Sequence, residues 1–139
     1  QPSSSEQINL IQSLSKNLKT GGSFIIAEIS KQGMDNLNSI RKKYGLPLMN
    51  DRWHNLHIDE KIVVDPLKKL FEIKQLKRAG IFYFISRVLH PAMVSPNEPT
   101  STHRLNDVAL KSEILLTEEF DENSFEKFGG HLLMHLIKK

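Results

Sequence analysis

The chain has 139 residues, 39% of them apolar, which is enough for one compact α/β or α+β domain with its own hydrophobic core. It contains no cysteine, so disulfides, thiolate metal sites and cysteine nucleophiles are excluded together. The 19 basic and 16 acidic residues are interspersed, so the net charge of +3 and the pI of about 9.2 argue only weakly for nucleic acid as a partner. No run approaches the ~18 apolar residues of a membrane span, and no basic-then-apolar signal opens the chain. The expectation is a soluble, cytoplasmic chain. Because Gln1 stands first and a helix-like pattern begins within a few residues of it, a piece of a longer protein is expected, with a removed tag or leader as the alternative.

In chain order, Ser3-Ser4-Ser5-Glu6 has capping-box spacing, and Ile8, Ile11, Leu14 and Leu18 follow at helical steps. These predict a helix over about Ser5 to Leu18 with one buried apolar stripe. Lys19-Thr20-Gly21-Gly22 supplies a sharp turn, and Ser23 to Ile29 is a short, nearly continuous apolar run. Such a run predicts a strand buried on both faces, as in a parallel sheet. A second helix is predicted from Met34 to Tyr44, with Leu37, Ile40 and Tyr44 on one side and Gly45 at its stop.

Glu60 to Leu70 reads as a helix that Pro66 should break or kink. Phe71 to Leu76 alternates as a strand with one wet face. Phe82 to Met93 is dense enough for a largely buried helix closed by Pro91, and Ser95 to Asp107 carries the residues of a surface loop. Gly129-Gly130, read as turn glycines, precede a last strand over His131 to Ile137. These elements make half of a doubly wound sheet in a single domain over residues 1–139.

The helix, then Leu18-Lys19-Thr20-Gly21-Gly22, then Phe24-Ile25-Ile26-Ala27-Glu28 resembles a segment of the class I, Rossmann-like S-adenosylmethionine-dependent methyltransferases, with Thr20 where proline is usual. The stretches Arg52-Trp53-His54-Asn55-Leu56-His57-Ile58-Asp59-Glu60 and Phe82 to Ala92 look like segments recurrent in a bacterial branch of that class. The resemblance implies that the Phe24 strand is the fifth of a seven-stranded sheet. Phe71 to Leu76 and His131 to Ile137 then stand for the sixth and seventh, an antiparallel pair. It implies methyl transfer from S-adenosylmethionine to a small-molecule or glycan acceptor. The donor in that class sits on a glycine-rich loop that follows a strand, and this chain has no Gly-x-Gly arrangement. The chain therefore reads as the carboxyl-terminal, substrate-side half, whose partner is the amino-terminal half of the same protein.

Ligands of open α/β sheets lie beyond the carboxyl ends of the strands, which nominates Glu28 and Ser30 as substrate-binding residues, with helix capping as the alternative for Ser30. Trp53, His54, Asn55, His57, Asp59 and Glu60 form the densest polar cluster. There His54 is the candidate base for a hydroxyl acceptor, Glu60 the catalytic carboxylate beside it, and Trp53, Asn55 and His57 substrate contacts. The alternative is that Trp53 anchors a loop and the histidines are solvated. Tyr83, Arg87 and His90 fall at steps of four and three on one helical side, so Tyr83 and Arg87 are substrate-binding candidates, or bridges to neighbouring elements. No metal site is expected, because His54-x-x-His57 lacks the helical spacing of zinc ligands and no third ligand is marked. The basic run of Lys68, Lys69, Lys74, Lys77 and Arg78 is interleaved with apolar residues and reads as the wet side of amphipathic elements. A competing reading is a non-catalytic binding or assembly module that pairs, as a homodimer or with another chain, through the edge of the Phe24 strand.

Overall fold

The computed structural model describes residues 3–50, 57–119 and 124–139. Its elements run α1 (Ser4–Ser15), β1 (Ser23–Ile29), α2 (Lys31–Lys43), α3 (Glu60–Leu70), β2 (Phe71–Arg78), α4 (Gly80–Phe84), a π-helical turn (Ile85–Leu89), α5 (His90–Val94), α6 (Arg104–Glu119), a 3-10 turn (Glu126–Phe128) and β3 (His131–Lys138). The fold is α/β, with one three-stranded antiparallel sheet in the order β1-β3-β2 and flanking helices. Two compact units divide the chain. The first draws on Gln1–Lys31, Asn50–Lys77 and His131–Lys139, the second on Gln32–Met49 and Arg78–Gly130.

In the first unit, α1 opens with the expected capping box, the Glu6 N–H donating to Ser3 Oγ at 3.3 Å while Glu6 reaches back to the Ser3 N–H. Hydrogen bonds from the Ser3 backbone, then from its hydroxyl, hold the Glu6 carboxyl below its usual range. The helix stops at Ser15, where Lys138 Nζ donates to the carbonyls of Ser15 and Leu18, 2.7 Å each. A cation there satisfies carbonyls that the helix end leaves without partners. Ile11 is buried, Ile8 and Leu18 pack against the core, but Leu14 is 41% exposed, so the predicted stripe is narrower than its spacing implies.

Gly21 takes φ +80° in the turn into β1, and its N–H donates to the Lys138 carbonyl at 2.8 Å. β1 then pairs antiparallel with β3 from Ser23↔Ile137 to Ile29↔His131. Ile26, Leu132, Met134 and Leu136 face a core completed by Ile11, Ile58, Val63, Leu67 and Phe71. The predicted burial of β1 on both faces is not found: Ile26 is its one buried residue, and Ile25 is 64% exposed. As an edge strand beside an antiparallel neighbour, β1 packs one face on α1 and α3 and leaves the other, with Leu133 of β3, bare.

Pro66 does not break α3, which runs unbroken from Glu60 to Leu70. Proline leaves the carbonyl four residues earlier without its donor; here that is Ile62, itself half-exposed, so water can serve it. Val63 and Leu67, fully buried, fix the inner face.

The second unit is built on the helical stretch 80–94. Pro91 lies inside this stretch, not at its end, and the backbone widens to a π turn before it, with the His90 N–H reaching Ile85 O. The carbonyl that Pro91 cannot serve, that of Arg87, accepts from Arg41 Nη1 of α2. Phe82 N–H donates to Glu113 Oε2 at 2.8 Å, which ties α4 to α6, a helix that the sequence reading left out. Gly129 and Gly130 lie in the turn into β3, as expected, where the Gly129 N–H donates to Glu126 O at 2.9 Å, but neither has a positive φ. Close approach is what requires glycine there: a Cβ would lie 2.3 Å from Arg78 Cβ at the first and 2.4 Å from Tyr83 Cε1 at the second.

Burial separates two substitutions that the sequence pattern treats alike. Met134→Ala, at a fully buried site, is expected to cost about 2–5 kcal/mol in urea unfolding. Leu14→Ala should cost under about 1 kcal/mol. Equal losses would contradict the described packing of α1.

Candidate functional site

Four of the predicted residues lie at the carboxyl end of β1. Ser30, fully buried, directly follows the strand and forms an isolated parallel bridge with Ile58. The Ile58 N–H donates to Ile29 O at 2.8 Å and the Lys31 N–H to Ile58 O at 2.9 Å. Asp59 caps α3, its side chain accepting from the Lys61 N–H at 3.1 Å, and Glu60 is the first helical residue. Two acids in this position suit the positive end of the helix dipole. Ser30 Oγ donates to Glu60 Oε1 at 2.6 Å, a buried contact between a hydroxyl and a carboxylate.

Four sequence candidates therefore meet at one strand end. Ser30 and Glu60 touch, His57 precedes the bridging Ile58 and is 6% exposed, and Glu28, two residues before Ser30, is exposed. Of these, Glu28 is the side chain open to solvent, and a carboxylate there accepts hydrogen bonds from hydroxyl or ammonium groups. The hydroxyl of Ser30 is already committed to Glu60. The remaining members of the cluster, Trp53, His54 and Asn55, lie outside the described residues.

In the second unit the side proposed for Tyr83, Arg87 and His90 does not form. Tyr83 and His90 are buried, Arg87 is exposed, and the inward residues between them are Ser86 and Val88. The π turn is the reason, since an extra residue per turn shifts the phase of every side chain after it. Tyr83 lies against Gly130, and the His90 ring stacks on His103 with centroids 4.4 Å apart. Arg41, missed in the sequence reading, is 8% exposed and donates through Nε to Pro47 O at 2.9 Å as well as to Arg87 O. Burial, then the charge of Arg87, lowers its guanidinium below the ordinary value, against an opposing pull from Glu98. No sequence signal marks Arg41, because an arginine at the inner edge of a polar helix face looks solvated until its acceptors are placed.

Among the described residues no group of three His, Asp or Glu side chains gathers to hold a metal ion. No helix among them is long and apolar enough to cross a membrane. His135 Nε2 lies 3.2 Å from Ser23 Oγ on the strand pair. No protein-family model and no curated protein sequence matches this chain.

Arg41 gives the second unit a sharp test. Arg41→Lys keeps the charge but not the fork that reaches two carbonyls, so unfolding stability should fall by roughly 1–3 kcal/mol. A change below about 0.5 kcal/mol would mean that the two backbone contacts are not both made.

Proposed function

We propose that this chain supplies the acceptor side of an S-adenosylmethionine-dependent methyltransferase of the Rossmann-like class, acting on a small-molecule or glycan acceptor. In this reading β1, β2 and β3 stand for the fifth, sixth and seventh strands of that sheet. The observation that carries the reading is the strand arrangement. β1 leaves a glycine turn in which Gly21 has φ +80°, and the last strand runs antiparallel beside β2, as the terminal pair of that class does. The closure of residues 57–60 on the carboxyl end of β1 adds a polar cluster at the place where open α/β sheets receive ligands.

The donor itself does not fit the residues of this chain. Gly21 and Gly22 precede β1, Gly33 stands singly within α2, Gly45 ends that helix, and Gly80, Gly129 and Gly130 are each pressed against neighbouring atoms. None opens a loop that follows a strand and admits a nucleotide. The donor is therefore assigned to an amino-terminal half of the same protein. This chain would orient the acceptor, with Glu28 as a hydrogen-bond acceptor for it. His54 would take its proton where the acceptor is a hydroxyl.

A second reading, a non-catalytic assembly module that pairs through a sheet edge, is favoured by one observation. Ile25 is 64% and Leu133 40% exposed on the same sheet face, and among the described residues the outer edge of β1 is paired only at Ser30.

Calorimetry with S-adenosylhomocysteine tests the leading reading. This chain alone should give no binding heat, whereas the chain joined to a donor-binding half should bind and pass a labelled methyl group to hydroxylated small molecules or oligosaccharides. Micromolar binding by the chain alone would overturn the assignment of the donor to another segment. Donor binding by the joined protein without transfer, together with self-association of this chain, would favour the assembly module.

A further inference from the structure

We propose that Ser30 and Glu60 are positioning residues, a buried clamp that holds the His57–Asp59 segment against the carboxyl end of β1. The sequence pattern alone makes Glu60 look like a partner for a catalytic histidine. Its surroundings give it a structural task. Glu60 is 8% exposed, Ser30 is fully buried, and the Ser30 hydroxyl donates to Glu60 Oε1 at 2.6 Å. One carboxylate oxygen of Glu60 thus faces the hydroxyl of the residue that directly follows β1.

The contact closes a small ring of interactions. Two backbone bonds join Ile58 to the end of β1, at 2.8 Å and 2.9 Å, but an isolated bridge of this kind has no ladder on either side to hold it. The side-chain bond from Ser30 to the first residue of α3 anchors the same segment from its other end. Strand end and helix start are thereby fixed together, and His57, buried at 6% exposure, is held between them in sequence. A hydrogen bond to a charged group, protected from water, has the strength to decide whether such a short segment stays in place. That this segment meets the acceptor rests on the methyltransferase reading above; that Ser30 and Glu60 hold it does not.

Amide hydrogen exchange on the full chain tests the clamp, with the Ile58 and Lys31 amides as reporters and Met134 at the core as the internal reference. Ser30→Ala and Glu60→Ala should each speed exchange at Ile58 and Lys31 by about tenfold to a hundredfold and leave Met134 little changed. Glu60→Gln keeps an oxygen acceptor for the serine hydroxyl and should restore near-native protection. The double change Ser30→Ala with Glu60→Gln should be no worse than Ser30→Ala. The proposal is overturned if neither alanine variant moves the reporters, if Met134 accelerates as much as they do, or if Glu60→Gln behaves like Glu60→Ala. Donor calorimetry bears on the methyltransferase reading and leaves these outcomes untouched, so the two ideas fail separately.

Discussion

The pairing of β1 with β3 is the constraint on which the first unit depends. It joins the two ends of the chain, Ser23 with Ile137 and Ile29 with His131, and so closes a long loop before any of its contacts can form. What offsets that entropy lies on one face, where Ile26, Leu132, Met134 and Leu136 leave water together against Val63, Leu67 and Phe71. The same strand then fixes its neighbours through its last residues. Lys138 caps the end of α1, and the Lys139 N–H bonds to Leu70 O, where α3 passes directly into β2.

Backbone groups that the sequence leaves without partners are met by side chains from elsewhere in the same unit. Pro91 deprives the Arg87 carbonyl of its donor, and Arg41 supplies one. The amide at the start of α4 finds Glu113 of α6, and the Arg78 N–H finds Glu126 Oε1 at 3.2 Å. These contacts explain buried or half-buried charges that no chemistry needs. They also separate such charges from Glu28, which is exposed at a strand end and bound to none of these tasks.

Much of this was legible from local pattern. The capping box at Ser3, the turn at Gly21, all three strands and the glycine stop at Gly45 follow from residues that act within a few positions of themselves. What was not legible depends on distant partners. The bare face of β1 carries isoleucines just as its buried face does, so alternation could not mark it. Pro66 and Pro91 announce breaks that an exposed carbonyl and a distant arginine make unnecessary. In α6, Ala109 is the one buried residue, so an amphipathic pattern scarcely exists to be read. At the candidate site, the pattern nominated Glu28 and Ser30 at a strand end and His57 and Glu60 in a separate polar cluster, whereas their meeting, and the division between an open carboxylate and a buried clamp, needed the fold.

The candidate site lies at the carboxyl end of β1, whose place follows from the direction and register of its pairing with β3. Lys138 N–H donates to Gly22 O, so the even-numbered residues of β1 turn their backbone groups toward β3. Ala27 and Leu133 then form a pair outside the hydrogen-bonded rungs, with α-carbons about 4.5 Å apart. The measurement to make is the nuclear Overhauser contact between their α-protons in the labelled chain. A strong cross-strand signal for Ala27 with Leu133 is the predicted result. Its absence, or a register shifted by one residue, would turn the buried face of β1 outward and contradict the placement of Ser30 and Glu60 on which the site is built.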